Sequence, residues 1–192
     1  MGPFDSCRLI HMNLTSYIVE PFTESAHIDE ELLYVHSYEA MRLADDLVDL
    51  EIEAVDRILE KVKNNSDMTE FNLWSKIKNT AVQGRRAGLG FTGLADAIAM
   101  LGLKYDSDEG IKQVGQLMKV MFKGQLNSTI DMAIERGIFP VCDIGKEFYH
   151  TGYKSENQWY EKLSKDFPAE FTRMMKYGRR NISWSTVKIA AA

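Results

Sequence analysis

Apolar positions recur along most of the chain at mixed three- and four-residue steps, the pattern of helices that bury one face. After Asp29, Leu32, Val35, Ala40, Leu43, Leu47, Leu50, Val55, Ile58 and Val62 fall at such steps. They predict a helix over residues 29–63 that stops at the loop signal Asn64-Asn65-Ser66. Trp74, Ile77 and Ala81 predict a second helix over 70–82, and an Ala-rich run a third over 92–101. Ser107 is placed to cap a fourth over 108–136. Its expected core side is Ile111, Val114, Leu117, Met118, Met121, Phe122, Ile130 and Ile134, with Gly137 placed to end it. Ser155 with Gln158 forms a capping-box pattern, and Pro168 suits a first turn, so helical structure is expected over 155–177.

Two stretches break the helical period. Residues 8–19 are β-branched and aromatic up to Pro21, and 181–187 alternate with period two. Both read as strands. The fold class is therefore mainly α with a few strands, and residues 1–192 read as a single domain. Strands so distant in sequence pair in parallel through helical crossovers. So few strands leave edges unpaired, which fits a segment of a larger sheet.

Composition narrows the partners. A net charge of −5 argues against a nucleic-acid or anionic-membrane surface, which needs clustered Lys and Arg. No run approaches the ~20 apolar residues that span a bilayer. The first residues lack the regions of a secretory signal, so a cytoplasmic location is expected. Two cysteines are too few for a disulfide scaffold. Met1-Gly2-Pro3 stands directly before a strand, and Lys188 to Ala192 carry no cap or core pattern, so both ends read as cut.

Three groups invite a chemical reading. Gly88-Leu89-Gly90-Phe91-Thr92-Gly93 matches G-x-G-x-x-G. A dinucleotide cradle needs an apolar strand just before it, and Gln83-Gly84-Arg85-Arg86 stands there instead. A glycine-rich strand-to-helix turn is the favoured reading. Glu31, His36, Glu39, Asp45 and Asp46 share one helix, as a metal site would require, but a solvated helix face explains them more simply. His11, His27 and His150 have no partners at metal spacing. Cys7 lies between Asp5-Ser6 and Arg8, where Arg8 would stabilise a thiolate and raise its reactivity above that of Cys142. On composition alone, a small buried residue is the favoured reading of Cys7.

Three stretches, in order, change that balance. They are Asp5-Ser6-Cys7-Arg8-Leu9 with Asn13-Leu14-Thr15-Ser16-Tyr17-Ile18 and Pro21-Phe22-Thr23; Arg85 to Asp96; and Arg179-Arg180-Asn181-Ile182-Ser183-Trp184-Ser185-Thr186-Val187. Together the chain resembles the ribonucleotide reductase large (catalytic) subunit, and the wording around Cys7 is most similar to the adenosylcobalamin-dependent class and its phage or bacterial relatives. The resemblance implies a partial segment of the family's ten-stranded α/β barrel. It implies replacement of the ribose 2′-hydroxyl by hydrogen, begun by a thiyl radical and completed by a pair of reducing cysteines. By position, Cys7 matches one of that pair.

The departures are as informative. The family's radical cysteine stands in an Asn-Pro-Cys-Gly-Glu type of motif upstream of the Cys7 position, and its Pro-Thr-Gly-Thr-like phosphate turn follows the Val187 position. This chain has neither, and Lys188-Ile189-Ala190-Ala191-Ala192 stands where the turn belongs. A dithiol needs Cα atoms roughly 4.4–6.8 Å apart to close. The expectation is thus a part of the catalytic subunit that carries Cys7 and is inactive alone. The alternative is a non-catalytic helical binding or assembly module from the same barrel. No cofactor or metal is expected on this segment, with adenosylcobalamin reserved for the full-length enzyme. The expected partners are the remaining reductase segments or a second copy, with ribonucleotide bound only in the complete enzyme.

Overall fold

A computed structural model describes residues 3–64, 67–142 and 154–184, the last without the side chains of 154–159. In chain order the elements are β1 (Arg8–Asn13), a 3-10 turn (Leu14–Tyr17), β2 (Ile18–Val19), β3 (His27–Ile28), α1 (Glu30–Val62) and α2 (Thr69–Gly84). There follow β4 (Ala87–Thr92), α3 (Leu94–Met100), α4 (Asp108–Arg136), α5 (Lys154–Asp166) and α6 (Pro168–Tyr177). Among the described residues no helix is long and apolar enough to cross a membrane.

The extended stretch expected over 8–19 is interrupted. Asn13 accepts from the Thr15 N–H and caps the 3-10 turn, so β1 ends there and β2 starts a separate antiparallel pair with β3. β1 instead pairs in parallel with β4, from Arg8 opposite Ala87 to Asn13 opposite Thr92. The glycine run is thus the strand itself rather than a turn after one. Within the run, Gly93 alone adopts a left-handed conformation, at φ +71°, where a Cβ would lie 2.6 Å from Asn13 Oδ1.

Parallel pairing and period two give this sheet two unlike faces. Ile10, Met12, Leu89 and Phe91 point into the helices and join Leu33, Ile98, Leu117 and Met121 in one core cluster. Ala87, further down β4, joins Met41, Ala44, Leu126, Ile130, Met174 and Trp184 in a second. The opposite face carries Leu9, His11 and Asn13 beside Gly88, Gly90 and Thr92.

α1 starts at Asp29, whose carboxylate accepts from the Leu32 N–H at 2.9 Å. Its buried face differs from the expected one. Leu33, Ser37, Met41, Ala44, Asp45, Val48 and Val55 are buried, whereas Leu32, Val35, Leu43 and Leu50 are exposed. The helix bears two apolar stripes, and the one with small residues packs. A Cβ on Gly124 of α4 would lie 2.6 Å from the Tyr34 carbonyl oxygen and 2.9 Å from the Ser37 Cβ, so the backbones cross very closely.

α4 begins at Ser107, whose hydroxyl accepts from the Gly110 N–H, and ends at Gly137 with φ +88°. Ile111 and Ile134 of its expected core side are exposed. Its second half is covered on two sides, by α1 and by the chain around α6, so Gln125, Ser128 and Thr129 are buried there alongside Leu126 and Ile130. The helical stretch expected over 155–177 divides at Phe167, with Pro168 in the first turn of α6. The Ser155 and Gln158 side chains lie outside the described residues.

The strand expected over 181–187 is not formed at 181–184. That stretch is irregular, yet it lies against β4: the Ala87 N–H donates to Ser183 O and the Leu89 N–H to Trp184 O, both at 3.1 Å. Residues 185–187 lie outside the described residues.

Candidate functional site

Cys7 immediately precedes β1 and is a half-buried thiol outside any disulfide. By alternation it continues the Leu9–His11 face, while Arg8 points the other way and is almost fully buried. Arg8 pairs with Glu51 of α1 and donates to the carbonyls of Ser6 and Arg86. The groups acting on the Cys7 sulfur are Arg86, Arg8, Asp5 and Ser183. Arg86 donates from Nε to Asp5 Oδ2 at 2.7 Å and reaches Ser183 Oγ from Nη1 at 3.5 Å. The Ser183 hydroxyl donates to the Ala87 carbonyl at 3.1 Å.

Burial pushes the Cys7 thiol up from its ordinary value of 9.0 and wins over the opposing Arg86 and Arg8 charges; Asp5 adds to the rise and the Ser183 hydrogen bond opposes it. The thiolate expected from Arg8 is therefore not the resting form. Arg8 is engaged by a carboxylate and two carbonyls, and the desolvation of the sulfur is larger. At neutral pH Cys7 holds its proton, the form that can deliver hydrogen as well as electrons.

A second constellation, unforeseen from the sequence, holds the segment that lays Ser183 against β4. Asp45 is 0% exposed. Its Oδ1 accepts from Arg85 Nε and from Asn181 Nδ2, each at 2.9 Å. Its Oδ2 accepts from Arg136 Nη1 and Arg180 Nε, each at 3.2 Å. Arg85 also grips Asp49 with two donors, and Arg136 reaches Asp46 at 2.7 Å. Burial pushes the Asp45 carboxyl up, but the Arg85 hydrogen bond, the Arg85 and Arg180 charges and Asn181 outweigh it, and the group sits below the ordinary carboxylate value.

The solvated-face reading of Asp45 is thus corrected: four donors replace its water. Asp45, Asp46 and Asp49 do approach one another, but three guanidiniums balance their charge, so the cluster reads as an ion-pair hub. His36 is not aimed at them; its Nδ1 lies 3.2 Å from the Tyr17 hydroxyl. The one sequence signal for the hub was a carboxylate in line with Leu33, Met41, Ala44 and Val48, visible only once the right stripe of α1 is chosen.

The dinucleotide reading loses its geometry. Gly88 and Gly90 are interior strand residues in register with Leu9 and His11, and Arg85, the residue that ends α2 before the strand, is left-handed at φ +44° with its guanidinium in the hub.

Comparison with known proteins points to the same family as the resemblance. Residues 4–188 match the family model for the ribonucleotide reductase barrel domain. A vitamin B12-dependent ribonucleoside-diphosphate reductase of Thermoplasma acidophilum is 28% identical over 155 residues, which cover 81% of this chain and 17% of that protein. A vitamin B12-dependent ribonucleoside-diphosphate reductase of Mycobacterium tuberculosis is 26% identical over 138 residues, 72% of this chain and 16% of that protein. The ribonucleoside-diphosphate reductase large chain of Encephalitozoon cuniculi is 26% identical over 141 residues, 68% and 17% respectively. The chain thus spans about a sixth of the length of these relatives. Matched along residues 4–188 and carrying a parallel strand pair with helical crossovers, the chain belongs to the ribonucleotide reductase large-subunit family, as a segment of its barrel domain.

Proposed function

We propose that this chain forms part of a ribonucleotide reductase catalytic subunit and that Cys7 is one of its two substrate-reducing thiols. The observation that carries the reading is the placement of Cys7: a half-buried thiol immediately before β1, in line with the sheet face turned away from α1 and paved by Gly88 and Gly90. Two thiols together supply two electrons and two protons. The ribose C2′–OH bond breaks, a C2′–H bond forms, the oxygen leaves as water, and the thiols become a disulfide. Cys7 supplies one sulfur. The partner thiol, the radical-forming cysteine and the phosphate turn belong to other parts of the complete enzyme.

The relatives' names point to vitamin B12, and we propose adenosylcobalamin for the complete enzyme. Of the described histidines, His36 lies 3.2 Å from the Tyr17 hydroxyl and His27 2.8 Å from the Ser25 carbonyl, while His11 carries a buried Nε2 without a hydrogen-bond partner; we assign cobalamin to the complete enzyme and name no residue of this segment as its ligand.

The test is deoxyribonucleotide formation by this chain, alone and with added segments bearing the radical-cysteine motif and the phosphate turn. The chain alone is expected to be silent and the mixture active, with Cys7→Ser abolishing turnover. Turnover that survives Cys7→Ser overturns the reading.

A second reading, a non-catalytic assembly module, is favoured by the outer edge of β1, which has no ladder partner among the described residues. Size-exclusion chromatography separates the two. Self-association that added reductase segments do not displace supports the module.

A further inference from the structure

We propose that copies of this chain associate head to tail through two helices, the exposed face of α1 in one copy lying against the first half of α4 in the next. Neither Cys7 nor β1 takes part, so this association is independent of the proposed function.

Two faces that the fold leaves in solvent are involved. On α1, Glu39, Leu43, Asp46, Leu50 and Glu53 follow at alternating steps of four and three and are all exposed, so they form one seam along the helix. Leu43 and Leu50 are 55% and 57% exposed, which is costly for side chains of that size unless something covers them. Asp46 already accepts from Arg136, so Glu39 and Glu53 are the carboxylates offered outward. On α4 the corresponding line is Lys112, Gly115 and Lys119, all exposed, with Ile111 beside it at 61%.

The seams match in spacing and in charge. Lys112 and Lys119 are one seven-residue repeat apart, as are Leu43 and Leu50, and Glu39 and Glu53 are two such repeats apart. A shared repeat of seven lets two helices stay in contact over several turns. Lysine suits the contact, since its methylene stem covers leucine while its ammonium reaches a carboxylate. Pairing each face with itself would set Glu against Glu or Lys against Lys. The favoured contact is therefore α1 on α4, which is heterologous and repeats from copy to copy.

Gly115 adds an independent observation. A Cβ built there meets nothing within 4 Å, so no contact inside the chain requires glycine in the interior of α4. Relative to alanine, glycine costs a helix about 1 kcal/mol at such a position. Close approach of a second backbone accounts for it, because a missing Cβ lets two helices come nearer.

The test is sedimentation velocity of the whole chain over a wide concentration range at low salt. A single helix pair falls below the ~1,200 Å² of a standard interface, so the parent is expected to associate weakly and reversibly. Glu39→Lys with Glu53→Lys, and separately Lys112→Glu with Lys119→Glu, are each expected to weaken that association roughly tenfold. The quadruple variant exchanges the charges, keeps the net charge of −5 and is expected to recover the parent's association. A parent that stays monomeric overturns the proposal, as does a quadruple variant that associates no better than the doubles. A double variant that associates like the parent also overturns it and moves the contact to the β1 edge. None of these outcomes bears on Cys7, whose role is read from the activity of Cys7→Ser.

Discussion

Asn181 donates from Nδ2 to Asp45 Oδ1 at 2.9 Å, joining residues 136 positions apart in a bond shielded from solvent at both ends. Through this contact the long helix α1 fixes the last described stretch of chain against β4. The same carboxylate receives Arg85, Arg136 and Arg180, so three distant parts of the sequence converge on one group of α1.

Removing that charge is therefore expected to be expensive. Asp45→Asn keeps the shape but leaves three guanidiniums around a neutral amide, a loss on the order of 3–5 kcal/mol for a broken buried ion pair. In a domain of this size that lowers the melting temperature by roughly 2–4 °C per kcal/mol. Asp46→Asn removes an exposed partner of Arg136 and is expected to change stability by no more than about 1 kcal/mol. Thermal melts followed by circular dichroism decide the matter. Equal losses for the two variants would remove the hub from the account.

Acid should release the same group. The folded Asp45 carboxyl lies below its ordinary value of 3.8, so its ionised form is favoured by folding. Its contribution is fully present above that value and is lost as pH falls below 3.8 toward the folded value. Urea unfolding of parent and Asp45→Asn at neutral and strongly acidic pH measures it. The stability gap between the two is expected to shrink as pH drops through that window, and a constant gap would contradict the assignment.

The close crossing of α1 and α4 predicts a size limit at Gly124. Any Cβ there meets the Tyr34 carbonyl, a backbone group that cannot swing aside. Gly124→Ala is expected to cost about 1–3 kcal/mol through forced separation of the helices, despite the better helix propensity of alanine. A denaturant midpoint at or above the parent's would show that the crossing can open freely.

Cys7 should titrate late. Its burial predicts an alkylation midpoint above the ordinary thiol value of 9.0, despite two neighbouring guanidiniums. Rates measured from pH 7 to 11 test this directly, and a midpoint below 9.0 would restore the Arg8-stabilised thiolate.

Some of this was legible in the sequence. The caps at Asp29, Ser107 and Gly137 mark helix ends because they satisfy orphan backbone groups locally. The motifs around Cys7, Gly88–Gly93 and Asn181 pointed to the family because each carries a run of specific residues. Other features were hidden by the same local view. Leu32, Val35, Leu43 and Leu50 have the spacing of a core face, and nothing in their own neighbourhood shows that α4 packs on the other stripe. Asp45 reads as solvated because its four donors come from residues 85, 136, 180 and 181.

By itself, then, the sequence determined the family and the mainly helical order of elements, since these rest on local spacing and short motifs. Tertiary structure alone decided which stripe of α1 is buried, that the glycine run is a strand, that burial raises the Cys7 thiol, and that Asp45 is the centre of a buried ion-pair hub. The physical reason is common to all four. Burial and long-range hydrogen bonds depend on which surfaces meet, and a choice made by packing leaves no trace in the spacing of either partner alone.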